Sequence, residues 1–105
     1  MEKLTLHNKA DKAAGGTKPM AIVGVVASGN LEVLVERVLP PTECAVEIAT
    51  TAHGFGDVWK AVVEDFVTRY GPGGLKLSIN DGGARPDTVL LRLAQGVRLI
   101  EEDAV

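Results

Sequence analysis

The chain has 105 residues, 46% of them hydrophobic and 24% charged, with a formal net charge of −3. That is about one domain's worth of sequence, with enough apolar material for a core, which excludes a multidomain enzyme and a disordered tail. The acidic balance offers no basic footprint for nucleic acid or an anionic membrane, and one cysteine with two histidines excludes an internal disulfide and a clustered zinc site.

Residues 1–19 mix charges with short apolar pairs and end in Lys9-Ala-Asp-Lys-Ala-Ala-Gly-Gly-Thr-Lys-Pro19. With no sustained apolar period, they read as a flexible N-terminal leader ahead of a single domain over 20–105. From Met20 the text becomes Ala-Ile-Val-Gly-Val-Val-Ala, a β-branched strand that stops at Ser28-Gly29-Asn30. Leu31 to Leu39 forms a second strand, with Leu31, Val33 and Val35 on one face and Glu32 and Glu36 on the other. Two such runs joined by Gly-Asn predict a hairpin.

Pro40-Pro41-Thr42 breaks the second strand, since proline supplies no ladder donor. A third strand follows over Glu43–Thr51, with Cys44, Val46 and Ile48 on one side, and His53-Gly54-Phe55-Gly56 is a loop. Asp57 is the expected N-cap of a helix in which Val58, Val62, Phe66 and Tyr70 recur every fourth residue, flanked by Trp59, Val63 and Val67. Gly71-Pro72-Gly73-Gly74 ends it, glycine taking the left-handed cap and proline refusing to continue. Leu75, Leu77 and Ile79 mark a fourth strand, Asp81-Gly82-Gly83 turns the chain, and Pro86 opens a second helix with Val89, Leu93, Val97 and Ile100 in one stripe. Gly96 weakens that helix modestly.

The order β-β-β-α-β-α predicts an α+β two-layer sandwich: a mostly antiparallel sheet of about four strands, with two helices covering one face. The first helix is a crossover, which allows one parallel pair. No stretch stays apolar for the roughly 20 residues of a membrane helix, so the expectation is a soluble cytoplasmic protein without a membrane partner.

Few residues invite a catalytic reading. His7 lies in the leader and His53 in a loop, Cys44 falls on the apolar face of a strand, and Trp59, Phe66 and Tyr70 stand at the helical spacing of a packed core. Gly82-Gly83 follows a strand and precedes a helix but lacks the Gly-x-Gly-x-x-Gly spacing that brings a backbone to pyrophosphate. Glu101, Glu102 and Asp103 are unfavourable for the helix dipole and read as a frayed, solvated end.

Ser28 is the informative position. The chain has two serines; Ser78 falls on the polar side of a strand, whereas Ser28 lies at the hairpin tip. A two-residue loop would pair Ser28 with Leu31 and a four-residue loop would pair Val26 with Leu31, and alternation does not choose between them. Taken alone, Ser-Gly-Asn is ordinary turn chemistry. That leaves a non-catalytic α+β interaction or ligand-binding subunit as the plain alternative, and a small hydrolase using Ser28 and His53 as a third with little support.

Gly24-Val-Val-Ala-Ser-Gly-Asn-Leu-Glu-Val-Leu-Val-Glu36, followed by Ile79-Asn-Asp-Gly-Gly-Ala-Arg-Pro86, resembles the acyl carrier proteins (delta subunits) of bacterial malonate decarboxylases and, more distantly, the acyl carrier subunit of citrate lyase. The resemblance spans roughly Ala21 to Glu102. It implies that Ser28, flanked by Gly29, Asn30, Leu31 and Glu32, carries a 2'-(5''-phosphoribosyl)-3'-dephospho-CoA arm through a phosphodiester, with acetyl and malonyl groups on the arm's thiol. It also implies that catalysis sits in partners: a malonyl transferase and other acyl-carrier transferase and decarboxylase subunits, with a prosthetic-group transferase loading the arm. A thioester carbonyl is a good electron sink for decarboxylation, and the chain's own residues offer no acid, base and oxyanion set for that step. This is not the common helical carrier, since no Asp-Ser-Leu opens a helix.

Overall fold

The computed structural model describes residues 1–102; Asp103, in the terminal acidic run, lies outside them. The elements are β1 (Glu2–Lys9), β2 (Met20–Gly24), β3 (Leu31–Arg37), β4 (Glu43–Thr50), α1 (Gly56–Tyr70), β5 (Leu75–Asp81) and α2 (Pro86–Glu101). They build one five-stranded sheet in the order β1-β4-β5-β3-β2. Every neighbouring pair is antiparallel except β4 and β5. The exception follows from α1, because strands that run the same way need a long return connection and the helix supplies it. The α+β reading holds.

Strand alternation sets the core. Leu31, Val33 and Val35 of β3, Cys44, Val46 and Ile48 of β4, and Leu75, Leu77 and Ile79 of β5 all point to the helical face and are buried. Both helices close over that face. Trp59, Val63 and Phe66 do so from α1 and Val89, Leu93, Val97 and Ile100 from α2, forming one cluster with the strands. Burying a large apolar side chain is worth about 1.5–3 kcal/mol, so these strands and helices hold one another. Gly71 ends α1 in the left-handed conformation with φ 54°, and Pro86 opens α2, both where the sequence places them.

The structure departs from the sequence expectation at several points. The largest concerns residues 1–19. Glu2–Lys9 pairs antiparallel with β4 along its whole length, Glu2 opposite Thr50 and Lys9 opposite Glu43. Glu2, Leu4, Leu6 and Asn8 form its half-buried side and only the two leucines are apolar, so the local apolar period is too faint to read. The outward Lys3, Thr5, His7 and Lys9 suit an edge strand, where charge discourages further pairing. Residues 10–19 are held as well. The Arg37 guanidinium donates to the carbonyls of Ala14 at 3.0 Å, Gly15 at 2.7 Å, Lys18 at 3.0 Å and Ile100 at 3.2 Å.

Glu101 does not sit in a frayed end: it belongs to α2, and its Oε2 accepts from the Gly15 amide at 2.7 Å. Asp57 is not the cap of α1. Phe55 occupies that position without a side-chain bond, and Asp57 stands in the first turn, where its charge faces the positive end of the dipole. The expected Val58 stripe is rotated, since Val58 is 42% exposed and the adjacent Trp59 and Val63 are buried. A strict four-residue recurrence drifts around the helix; the i, i+4, i+7 set of Trp59, Val63 and Phe66 stays on one face. Gly96 is a packing residue, because a Cβ there would lie 2.8 Å from Val35 Cγ2.

Candidate functional site

The hairpin follows neither expected register. Val23 opposes Val33 and Gly24 opposes Glu32, and β2 stops there, leaving residues 25–30 as the connection. Gly24 is the cause. Its φ is 76°, and a side chain at this position would place a Cβ 2.2 Å from the Leu31 carbonyl oxygen. The strand therefore leaves the ladder early, and Val25 and Val26, expected in the strand, become exposed loop residues.

Ser28 is exposed at the tip. The Asn30 amide donates to the Ala27 carbonyl at 2.9 Å, closing a turn over residues 27–30 with Ser28 at its second position. Gly29, at the third, has φ 75°, the positive value that a type II turn demands there. The turn is fixed from below. The Gly29 amide donates to the Gly82 carbonyl at 3.0 Å and the Gly82 amide donates to the Asn30 carbonyl at 2.9 Å. This approach needs glycine at 82, since a Cβ would stand 2.1 Å from the Ala27 carbonyl oxygen. Asn30 Oδ1 accepts from the Leu31 amide at 2.8 Å and from Arg92 Nε at 3.3 Å, and Arg92 in turn donates to Gln95 Oε1 at 2.8 Å. Leu31 is fully buried and pins the strand start, while Glu32 is half-buried opposite Asn80 on the open face.

Beside this site lies Asp81, buried, its Oδ2 accepting from the Thr50 hydroxyl at 2.7 Å and its Oδ1 from the Ala84 amide at 2.9 Å. It holds the β5–α2 loop on which the serine turn rests. Sequence reasoning picks out Ser28, Gly29 and Asn30 but misses Gly82, Asp81 and Arg92. Asp81-Gly82-Gly83 looks like an ordinary turn, and nothing local says that another backbone crosses it.

The other candidates stay apart from Ser28. His53 stands near the opposite sheet edge, its Nδ1 3.8 Å from Glu2 Oε2. His7 is exposed on β1. Cys44 is buried, and burial pushes its thiol up to about 12, far from a reactive thiolate. Ser78 is half-buried along β5, opposite Leu34 and Glu47. Among the described residues no group of three or more His, Cys, Asp or Glu side chains is placed to hold a metal ion. No helix there is long and apolar enough to cross a membrane.

The fold and site thus define a small α+β domain that displays one hydroxyl on a stiff, solvent-facing turn, the form suited to a carrier or docking module. Residues 18–100 match the family model described as malonate decarboxylase delta subunit (MdcD). The chain is 66% identical over 103 residues to the malonate decarboxylase acyl carrier protein of Bradyrhizobium diazoefficiens, covering 98% of each chain. It is 52% identical over 81 residues to that of Xanthomonas campestris pv. campestris strain B100, covering 77% of each. A chain in the crystal structure of a Pseudomonas malonate decarboxylase hetero-tetramer in complex with malonate superposes with a TM-score of 0.83 at 35% identity, covering 95% of this chain and 99% of that one. This chain belongs to the malonate decarboxylase acyl carrier protein family.

Proposed function

We propose that this chain is the non-catalytic acyl carrier subunit of a cytoplasmic malonate decarboxylase, and that Ser28 carries a phosphoribosyl-dephospho-CoA arm through a phosphodiester. The carrying observation is the exposed Ser28 hydroxyl on a turn held by two backbone hydrogen bonds to Gly82. A loading enzyme can reach such a hydroxyl while the frame beneath stays folded. The surroundings suit an anionic linkage. The turn opens to water, which solvates a phosphodiester, and the Arg92 guanidinium stands beside it on Asn30 Oδ1.

When attached, the arm supplies the thiol that takes acetyl and malonyl groups. The chain's residues do the positioning: Ser28 anchors, Gly29 supplies the positive φ, and Asn30 ties the turn to α2 through Arg92. Its partners are then the acyl-transfer, malonyl-transfer and decarboxylase subunits, and a prosthetic-group transferase. The likeness to a chain of a hetero-tetrameric malonate decarboxylase supports assembly with such subunits.

The test is the intact mass of protein coexpressed with its modifying enzymes. Wild type and Ser28→Ala should differ by the arm beyond the substitution itself, and Ser78→Ala should keep it. The complex built with Ser28→Ala should not decarboxylate malonate, although the isolated variant melts like wild type. An arm on any other residue, or full turnover with Ser28→Ala, overturns the proposal.

A further inference from the structure

An apolar cleft of about 240 Å³ opens between the N-terminal turns of α1 and α2, with Phe55, Val58, Trp59, Val62, Pro86 and Val89 on its walls and Gly83 and Ala84 on its rim. Among the described residues the only ionisable side chain that lines it is Asp81, whose carboxylate oxygens already accept from Thr50 and Ala84. Phe55 and Val58 are exposed at its mouth, so its apolar surface faces water. The rim is continuous with the serine turn, since Gly82, bonded to Gly29 and Asn30, directly precedes Gly83.

We propose that this cleft shelters the acetylated end of the chain's own Ser28-linked arm and excludes its malonylated end. The inference rests on the carrier reading and names what the arm does between partners. The cleft is smaller than the roughly 300–1,000 Å³ of sites for drug-sized ligands, which suits a short acyl group with a few methylenes. A tethered group faces its berth at an effective concentration on the order of millimolar, so an affinity too weak for a free ligand keeps the cleft occupied. Acetyl brings only a methyl and a carbonyl into the apolar walls. Malonyl brings a carboxylate, which the cleft meets with no cation among its described lining residues and with the buried Asp81 carboxylate nearby. The acetyl thioester rests under cover between visits to the partners, and once a partner transferase has replaced acetyl with malonyl from malonate, acetate leaving, the arm has no berth on this chain to return to.

The experiment uses the armed protein with a 13C label on the acetyl methyl or the malonyl methylene. Trp59, the single tryptophan, is the reporter. The acetyl methyl should show nuclear Overhauser contacts to the Trp59 indole, and the malonyl methylene should show none. Val58→Glu, at an already exposed mouth position, and Ala84→Met, which fills the rim, should each remove the acetyl contacts and speed hydroxylamine cleavage of the acetyl thioester several-fold. A wild-type acetyl group without contact to Trp59, or equal contacts from malonyl, overturns this inference while leaving Ser28 as the attachment site. Absence of any arm on Ser28 overturns the carrier reading and this inference with it.

Discussion

Gly82→Ala isolates the contact on which the serine turn depends. The added methyl would stand 2.1 Å from the Ala27 carbonyl oxygen and 2.8 Å from its carbon, both backbone atoms with no flexible end to yield. The turn must therefore lift, stretching the two hydrogen bonds that Gly82 shares with Gly29 and Asn30. At about 0.5–1.5 kcal/mol net for each bond, the loss is about 1–3 kcal/mol. For a domain of this size each kcal/mol moves the melting temperature by about 4–8 °C, so a fall of at least about 4 °C is expected by circular dichroism. Loading of Ser28, followed by mass over time, should slow because the hydroxyl no longer has a fixed place. Gly29→Ala is the companion: its Cβ would meet open space, but φ 75° strains any other residue by about 1–3 kcal/mol without pushing the turn off Gly82. A Gly82→Ala protein that melts within about 2 °C of wild type and loads at the same rate would refute the argument that this approach sets the site.

Phe66→Ala should destabilise by about 3–5 kcal/mol in urea titration, since Phe66 is fully buried beneath α1; a loss under about 1 kcal/mol would show that this face is not core. Deleting residues 1–9 removes β1 and uncovers the β4 edge, so the deletion should lower the melting temperature markedly, and an unchanged melt would mean that the strand contributes nothing. Arg37→Ala should cost about 1.5–3 kcal/mol by loss of charged hydrogen bonds to four carbonyls, read as increased amide exchange across residues 13–18; unchanged exchange counts against the clamp. Burial lifts the Cys44 thiol from 9.0 to about 12, so the unfolded chain loses this proton first. Stability should therefore fall as pH rises between those values, by about 1.4 kcal/mol per pH unit, relative to Cys44→Ala; parallel curves would refute it.

Local chemistry was legible wherever one short stretch carried the whole cause. Alternation in Leu31–Val35 and Leu75–Ile79 placed their buried faces, Gly71-Pro72 ended α1, Pro86 opened α2, and Ser-Gly-Asn announced an accessible turn. These signals depend on side-chain period or on a single residue's backbone freedom, both of which are written in adjacent letters. The helix face needed more, because Val58 and Trp59 each begin an apolar row, and only the position of α2 and the sheet decides which row is covered.

By itself, then, the sequence determined the α+β class, most of the element boundaries and the identity of the exposed serine. Tertiary structure alone decided that β1 joins the sheet through β4, that Arg37 fastens residues 14–18, and that Gly82 meets the serine turn. The physical reason is common to all three. Each joins segments far apart in the chain through backbone carbonyls that every residue type carries, met by backbone amides at β1 and at the serine turn and by the Arg37 guanidinium at residues 14–18. On the accepting side such contacts leave no mark in the side-chain pattern, and at the serine turn the one sign is a glycine where a methyl would not fit.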